Sequence, residues 1–441
     1  MKLIETIRNI WKIEDLKSRI LTTIGLVLIY RLGSYIVLPG IDPTQLSALK
    51  SQTSDGVLGL LDMFSGGAFS NASVFGLGIM PYISASIVIQ LLGIAVPYFQ
   101  RLQREGESGR RKINQITRYL TVIILLFQAP AYLANLPEVA ISSPGFMFKL
   151  TSIIILTAGT MFVMWLGERI TEKGIGNGIS LIIMIGIIAR LPFAAFAEGV
   201  SRFNESGGPV MLLIEIVILF FVFAGTILLV QGTRRIPVQY AKRIVGNKQY
   251  GGVRQYIPLK VNAAGVMPII FAQAIMFVPI TLVGFAESET TTGIASMFAD
   301  ITGWVYNLVF ALLIIAFTYF YTAITINPTQ MAEDMKRNGG FIPGIKPGKK
   351  TVEFLDSVMS KITLPGSVFL ALVAILPAFA MLAGVDRMFA QFYGGTSLLI
   401  LVGVVLDTLQ QIESHLLMRH YDGLMKSGRI KGRTGGGPAV Y

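Results

Sequence analysis

The chain has 441 residues, 53% hydrophobic and 14% charged, with a net charge of +12. So few charges exclude an ordinary soluble domain and point to a polytopic membrane protein. Cysteine is absent, which removes disulfides, a thiol nucleophile and any cysteine metal site.

In chain order, MKLIETIRNIWKIEDLKSR alternates charge with apolar residues, like an interfacial amphipathic helix. It lacks a cleavable signal pattern. A first span is predicted from Ile20 to Leu38, with Arg31 inside it and Pro39-Gly40 ending it. Residues 57–92 follow, and they are too long for one span, because ~20 apolar residues at ~1.5 Å each cross a hydrocarbon core. Val57–Phe69 reads as a half-helix too short to span, Ser65–Ser73 as a small, polar, glycine-rich middle, and Ala72–Val96 as a span broken by Pro81. A half-helix at membrane depth must have its backbone satisfied by protein or by a water-lined cavity. Two readings stay open: a re-entrant hairpin on the outer surface, or a mobile stopper in a pore mouth.

Eight more spans are predicted at Tyr119–Leu136, Leu150–Gly167, Ile179–Phe196, Val210–Val230, Val261–Val283, Trp304–Ile326, Leu364–Leu382 and Ser397–Leu417. The fold class is therefore all-α with ten membrane helices and one re-entrant half-helix. Most of the 37 Lys and Arg residues fall in the N-terminal segment, in loops 2–3, 4–5, 6–7 and 8–9, and in the C-terminal tail. The other side holds Lys50, Lys149, Arg190, Arg202 and Arg387. The positive-inside rule then predicts both termini in the cytoplasm and the half-helix outside.

Two segments echo each other across the chain. Gly78-Ile79-Met80-Pro81 returns as Gly265-Val266-Met267-Pro268, and Gly178-Ile179-Ser180-Leu181-Ile182-Ile183 as Gly395-Thr396-Ser397-Leu398-Leu399-Ile400. Each echo is five spans away, so the copies cross in opposite directions, the mark of an inverted repeat. The expected units are residues 1–19 as a cytoplasmic segment, 20–200 and 201–417 as the two halves, and 418–441 as a tail. A repeat of this kind places its working centre at the midplane between the halves. The echoed positions there are apolar. A solute transporter would place ionisable groups at that level, and the deep ones are few: Arg31, Asp407 and Glu215. Asp407 is expected to pair structurally. No HExxH, paired aspartates or G-x-S-x-G marks a protease. Gly344–Thr351 has one residue too few for a phosphate loop.

Loops 6–7 and 8–9 are long and basic, and they carry Tyr240, Tyr250, Tyr256 and Phe341 among their charges. Interleaved aromatics and cations suit docking to RNA or to an acidic partner.

The blocks MFSGGAFSNASVFGLGIMPYISASIVIQLL, EGESGRRKINQITRY, MFVMWLGERITEKGIGNGIS, PLKVNAAGVMPIIFA, NPTQMAEDMKRNGGFIPGIKPG and FYGGTSLLI, in this order, carry a resemblance. From about Trp11 to Gly432 the chain resembles the SecY/Sec61-alpha family of protein-translocase channel subunits. The resemblance implies two pseudo-symmetric five-helix halves hinged between spans five and six. It implies a plug formed by Asp62, Met63, Phe64, Ser65, Gly66, Gly67, Ala68, Phe69 and Ser70. It implies a hydrophobic pore ring of Ile79, Ile83, Ile179, Ile183, Ile270 and Ile400. It implies a lateral gate, with Gln90 and Gln128, where spans two and three meet spans seven and eight. Arg243, Lys248, Arg254, Lys336 and Lys346 would dock the ribosome, through rRNA, or the SecA motor. The implied partners are SecE, SecG, accessory Sec and insertase proteins, precursor chains with their signal sequences, and lipid of the bacterial inner membrane. No cofactor, metal or catalytic residue is implied. Two positions depart from the family pattern: Thr329 and Lys346 stand where arginine is common. Lysine keeps the charge but loses the planar fork.

Overall fold

The computed structural model describes residues 11, 13–46, 57–134, 136–141, 145–203, 208–240, 243–245, 248–250, 254–283 and 300–426. The helices are α1 (Glu14–Gly33), α2 (Val57–Phe64), α3 (Met80–Ala95), α4 (Pro97–Arg104), α5 (Glu107–Ala134), α6 (Phe146–Lys173), α7 (Gly178–Phe203) and α8 (Gly208–Gln231). After strands β1 (Thr233–Tyr240), β2 (Arg243–Val245), β3 (Lys248–Tyr250) and β4 (Arg254–Lys260) come α9 (Met267–Val283), α10 (Trp304–Thr325) and α11 (Pro328–Arg337). Strand β5 (Gly340–Phe341), α12 (Lys349–Leu382), α13 (Arg387–Ala390) and α14 (Gly395–Lys426) complete the order. Each of the ten expected spans falls on one of these helices. Among the described residues seven helices are long and apolar enough to cross a membrane, or eight if the pair α3–α4, bent by 101°, counts as one span. Exposed Leu213, Phe220, Phe221 and Leu228 on α8 show the surface this implies: apolar side chains face outward.

Two boundaries differ from the sequence reading. The first span ends at Gly33 rather than Leu38; a turn at Ser34 and Tyr35 follows, and Val37 is then bridged to Ser73. The second span begins at Met80, not Ala72, so Pro81 does not break a helix. It sits in the first turn, where the missing N–H has no intrahelical partner to lose. Residues 65–79 instead form a chain of turns that returns to the bundle: Leu38 N–H donates to Ala72 O at 2.9 Å and Val74 N–H to Ile36 O at 2.9 Å.

The echoed motifs occupy matching places. Met80 and Met267 each open a helix, two residues after a glycine at positive φ, 55° at Gly78 and 63° at Gly265. Gly178 and Gly395 open α7 and α14, which pack on each other.

Three apolar cores fill the bundle. One joins α1, the α2 segment, α6, α7, α13 and α14. A second joins α9, α10, α12 and α14. A third seals the chain after α1 against α5 and α6. A fourth core lies apart, on the side that carries the basic segments. There the two long basic loops fold together. β4–β1–β5 form an antiparallel sheet, with Ile236 opposite Ile257 and Gln239 opposite both Arg254 and Phe341. Ile236, Val238 and Leu259 of the sheet bury against Ala332 and Met335 of α11 and Leu355 and Met359 of α12. Asn327 starts α11 by accepting from the Thr329 and Gln330 N–H groups, with Pro328 in the first turn. The sheet and α11 thus form one platform, continuous with α12, which runs on into the bundle.

Candidate functional site

The α2 segment is not a surface hairpin. Asp62, Met63, Phe64, Ser65, Ala68, Phe69 and Ser70 are all buried. Such burial does not suit a hairpin lying on the outer surface. The segment's backbone is satisfied from neighbouring helices, as depth in a membrane requires. Tyr30 Oη of α1 donates to Ser65 O at 3.1 Å, and Tyr132 Oη of α5 to Phe69 O at 2.7 Å. Within the segment, Asp62 Oδ1 accepts from Ser70 N–H at 2.8 Å and Ser65 Oγ from Phe69 N–H at 3.1 Å.

All six isoleucines belong to one apolar core or pack against it. Ile79, Ile183 and Ile400 are buried in one core with Met63 and Phe64, and Ile83, Ile179 and Ile270 pack against it. Four of them, Ile83, Ile183, Ile270 and Ile400, line a cavity of about 20 Å³ with Phe64, and only Ser84 and Gln273 bring polar groups to its wall. Space of that order holds about one water, and an apolar wall offers it few partners. Helices from both echoed pairs, α3 with α9 and α7 with α14, therefore meet at one narrow apolar point, and Phe64 lies against it. Ile179 lies instead against Gly167 of α6.

The segment also borders a larger cavity of about 440 Å³, lined by Arg31, Tyr35, Asp62, Gly66, Asn71, Arg190 and Gln391, among others. Arg190 of α7 ion-pairs with Asp62 and also donates to Ser70 Oγ at 3.4 Å. Arg31 donates to Gly66 O at 3.0 Å and to Tyr35 Oη at 3.2 Å. In the sequence Arg31 stands out as a deep cation with no evident partner, and Arg190 bears only on orientation. An arginine within a span is a functional hypothesis by default, which was the available signal. Arg202 was likewise read as a loop charge. It is buried between Glu198, at 2.8 Å, and Glu215, at 2.7 Å, and donates to Gly384 O at 2.7 Å. Glu198 also accepts from Asp386 N–H at 2.8 Å, so this cluster ties α7 and α8 to the chain after α12. Glu215 is thus a structural ion-pair partner. Asp407, expected to pair, is exposed on α14.

The two glutamines separate. Gln90 of α3 accepts a hydrogen bond from Tyr321 Oη of α10 and donates to Ser86 Oγ at 3.2 Å. Gln128 is exposed on α5. Of the docking cations, Lys336 and Lys346 are exposed on the platform, while Arg243, Lys248 and Arg254 lie on β2, β3 and β4.

The sequence model of the SecY family matches residues 73–409. The chain belongs to the SecY family. It is 42% identical to the protein translocase subunit SecY of Corynebacterium glutamicum, over 94% of this chain and 98% of that protein. It is also 42% identical to the SecY of Escherichia coli (strain K12), over 95% of this chain and 96% of that protein. Among solved structures, "The structure of a protein conducting channel" matches 90% of this chain and 92% of its own with a TM-score of 0.60 at 17% identity. Sec61 in a canine ribosome–channel complex matches 90% and 92% with a TM-score of 0.58 at 15% identity. At such identities the likeness is one of fold. Among the described residues no three His, Asp or Glu side chains gather where they could hold a metal ion.

Proposed function

We propose that this chain is the pore-forming subunit of a protein-conducting channel and not an enzyme. It passes unfolded secretory chains across the membrane and releases membrane segments sideways into lipid. The observation that carries this reading is the convergence of isoleucines from α3, α7, α9 and α14 on Phe64. A ring of branched apolar side chains dewets a narrow constriction and stops ions. It makes no directed bonds, so a passing chain of any sequence slides through without being held. Asp62–Ser70 is the plug that fills the space beyond the ring at rest. A hydrophobic signal segment leaves through the seam between α3 and α10, where Tyr321 meets Gln90, by its own preference for lipid. The two halves, residues 20–200 and 201–417, part about the α7–α8 connection. Ten helices cross the bacterial inner membrane, with both termini in the cytoplasm. SecE and SecG complete the channel, SecA or the ribosome docks on the platform, and the work comes from those partners. The deciding experiment is reconstitution with SecE, SecG, SecA, ATP and an unfolded precursor. Protease protection of the precursor is expected, and its absence with a folded complex refutes the reading.

Orientation can be read by labelling, since the chain has no cysteine of its own. Ser54→Cys and Thr291→Cys, both outside the described residues, are expected to react with an impermeant reagent in intact cells. Lys248→Cys and Lys349→Cys are expected to stay unlabelled, and labelling of Lys248→Cys would overturn the ten-span topology.

The platform supplies a second expected result. Reversing charge together at Arg243, Lys248 and Lys346 should weaken binding of SecA or the ribosome while leaving insertion intact, because the buried platform core is untouched. Added salt should weaken wild-type binding as well, since exposed charges are screened over ~8–10 Å near physiological ionic strength. Unchanged affinity of the triple variant at low salt would leave these residues a topological role only.

A further inference from the structure

We propose that Arg190 is the positioning residue that holds the plug shut, with Arg31 as a weaker second contact. The proposal rests on the reading of Asp62–Ser70 as a plug. Asp62 is 1% exposed and is bound twice: one oxygen closes the plug's own turn on Ser70 N–H, and the other meets the Arg190 guanidinium from α7. Arg190 itself reaches the 440 Å³ cavity, and 22% of its side chain is exposed. Arg31 meets the plug only through a neutral carbonyl, Gly66 O.

This arrangement is asymmetric. Without Arg190, closure leaves a carboxylate buried and unpaired, which is strongly unfavourable. Displacing the plug into water relieves it, so the loss falls on the closed state alone. Without the Asp62 charge, Arg190 still faces a water-accessible cavity, and closure loses less. The plug is therefore held by an ion pair whose penalty on breaking is set by Asp62, and Arg190 decides whether the seal is stable.

The test is the resting ion conductance of the purified complex of this chain with SecE and SecG in planar bilayers, together with export of a precursor with a defective signal sequence. Arg190→Gln is expected to raise the leak about tenfold, equivalent to ~1.4 kcal/mol, the scale of one charge-assisted hydrogen bond. Arg190→Lys, which keeps charge without the fork, should leak less than Arg190→Gln, and Arg31→Gln should leak less still. Asp62→Asn combined with Arg190→Gln should be tighter than Arg190→Gln alone, because no unpaired charge remains. A merely structural role for Arg190 would not give that rescue. A wild-type leak in Arg190→Gln, or no rescue by Asp62→Asn, overturns the proposal. Should Arg190→Gln fail to accumulate, the comparison of Arg190→Ala with and without Asp62→Asn decides by the same criterion. In a channel lacking residues 57–70, Arg190→Gln should add no further leak, and an equal added leak places its action elsewhere. If the deletion itself neither leaks nor admits the defective precursor, the plug reading has failed rather than the role of Arg190.

Discussion

Ile270→Asn or Ile400→Asn is expected to give a folded channel that leaks ions and exports precursors with defective signal sequences. Both side chains border the same cavity of about 20 Å³, with Phe64 of the plug on its wall. An amide there gives water the partners it lacks and adds to the polar groups of Ser84 and Gln273, so the constriction wets. Closure then buries an amide with too few hydrogen bonds, a penalty of ~1–3 kcal/mol. Opening removes that penalty, so the equilibrium moves toward the open state by roughly ten- to a hundredfold at ~1.4 kcal/mol per tenfold. Ile→Leu at the same positions should change little, since volume and apolarity are nearly kept and such swaps cost less than ~1.5 kcal/mol. Conductance and precursor export decide between the ring and ordinary packing. A protein that accumulates poorly, neither leaks nor exports, and melts early would mean that the isoleucines only pack the core.

Gly186→Val should open the same seal from the side. Gly186 lies on α7 between Ile183 and Arg190, and its backbone touches the plug: a Cβ there would stand 2.9 Å from Phe64 O and 3.2 Å from Gly66 N. Those neighbours are backbone atoms, so no rotamer change relieves the contact. The plug must move. In the helix itself alanine is favoured over glycine by ~1 kcal/mol, so α7 tolerates Gly186→Ala and the strain falls on the plug contact. The expected order of resting leak is Val above Ala above wild type. Removing residues 57–70 should abolish the differences. If Gly186→Val stays sealed with the plug present, Phe64 and Gly66 do not press on α7 as described.

Much of this protein was legible in its residues. Composition and apolar length forced a membrane bundle, because a helix is the only open-chain way to satisfy a backbone in lipid. Every expected span lies on a helix for that reason. The echoes at Met80 and Met267, and at Gly178 and Gly395, marked helix starts that do match in the structure. The blocks of similarity named the family. Other features depended on through-space neighbours that no spacing encodes. Pro81 looked like a break within a span, but the chain before it is held in turns by Leu38, Ile36 and Tyr132. The two basic loops lie on either side of α9 and α10 in the chain, yet Ile236 and Leu259 from one and Ala332 and Met335 from the other bury a common core. Arg190 read as one outer charge among five. Only the fold brings it to Asp62, 128 positions away, because an ion pair across a bundle is fixed by how α7 packs against the plug. Periodicity and composition act along the chain and were set by the sequence. Which buried charge meets which partner is decided by packing, and there the tertiary structure alone spoke.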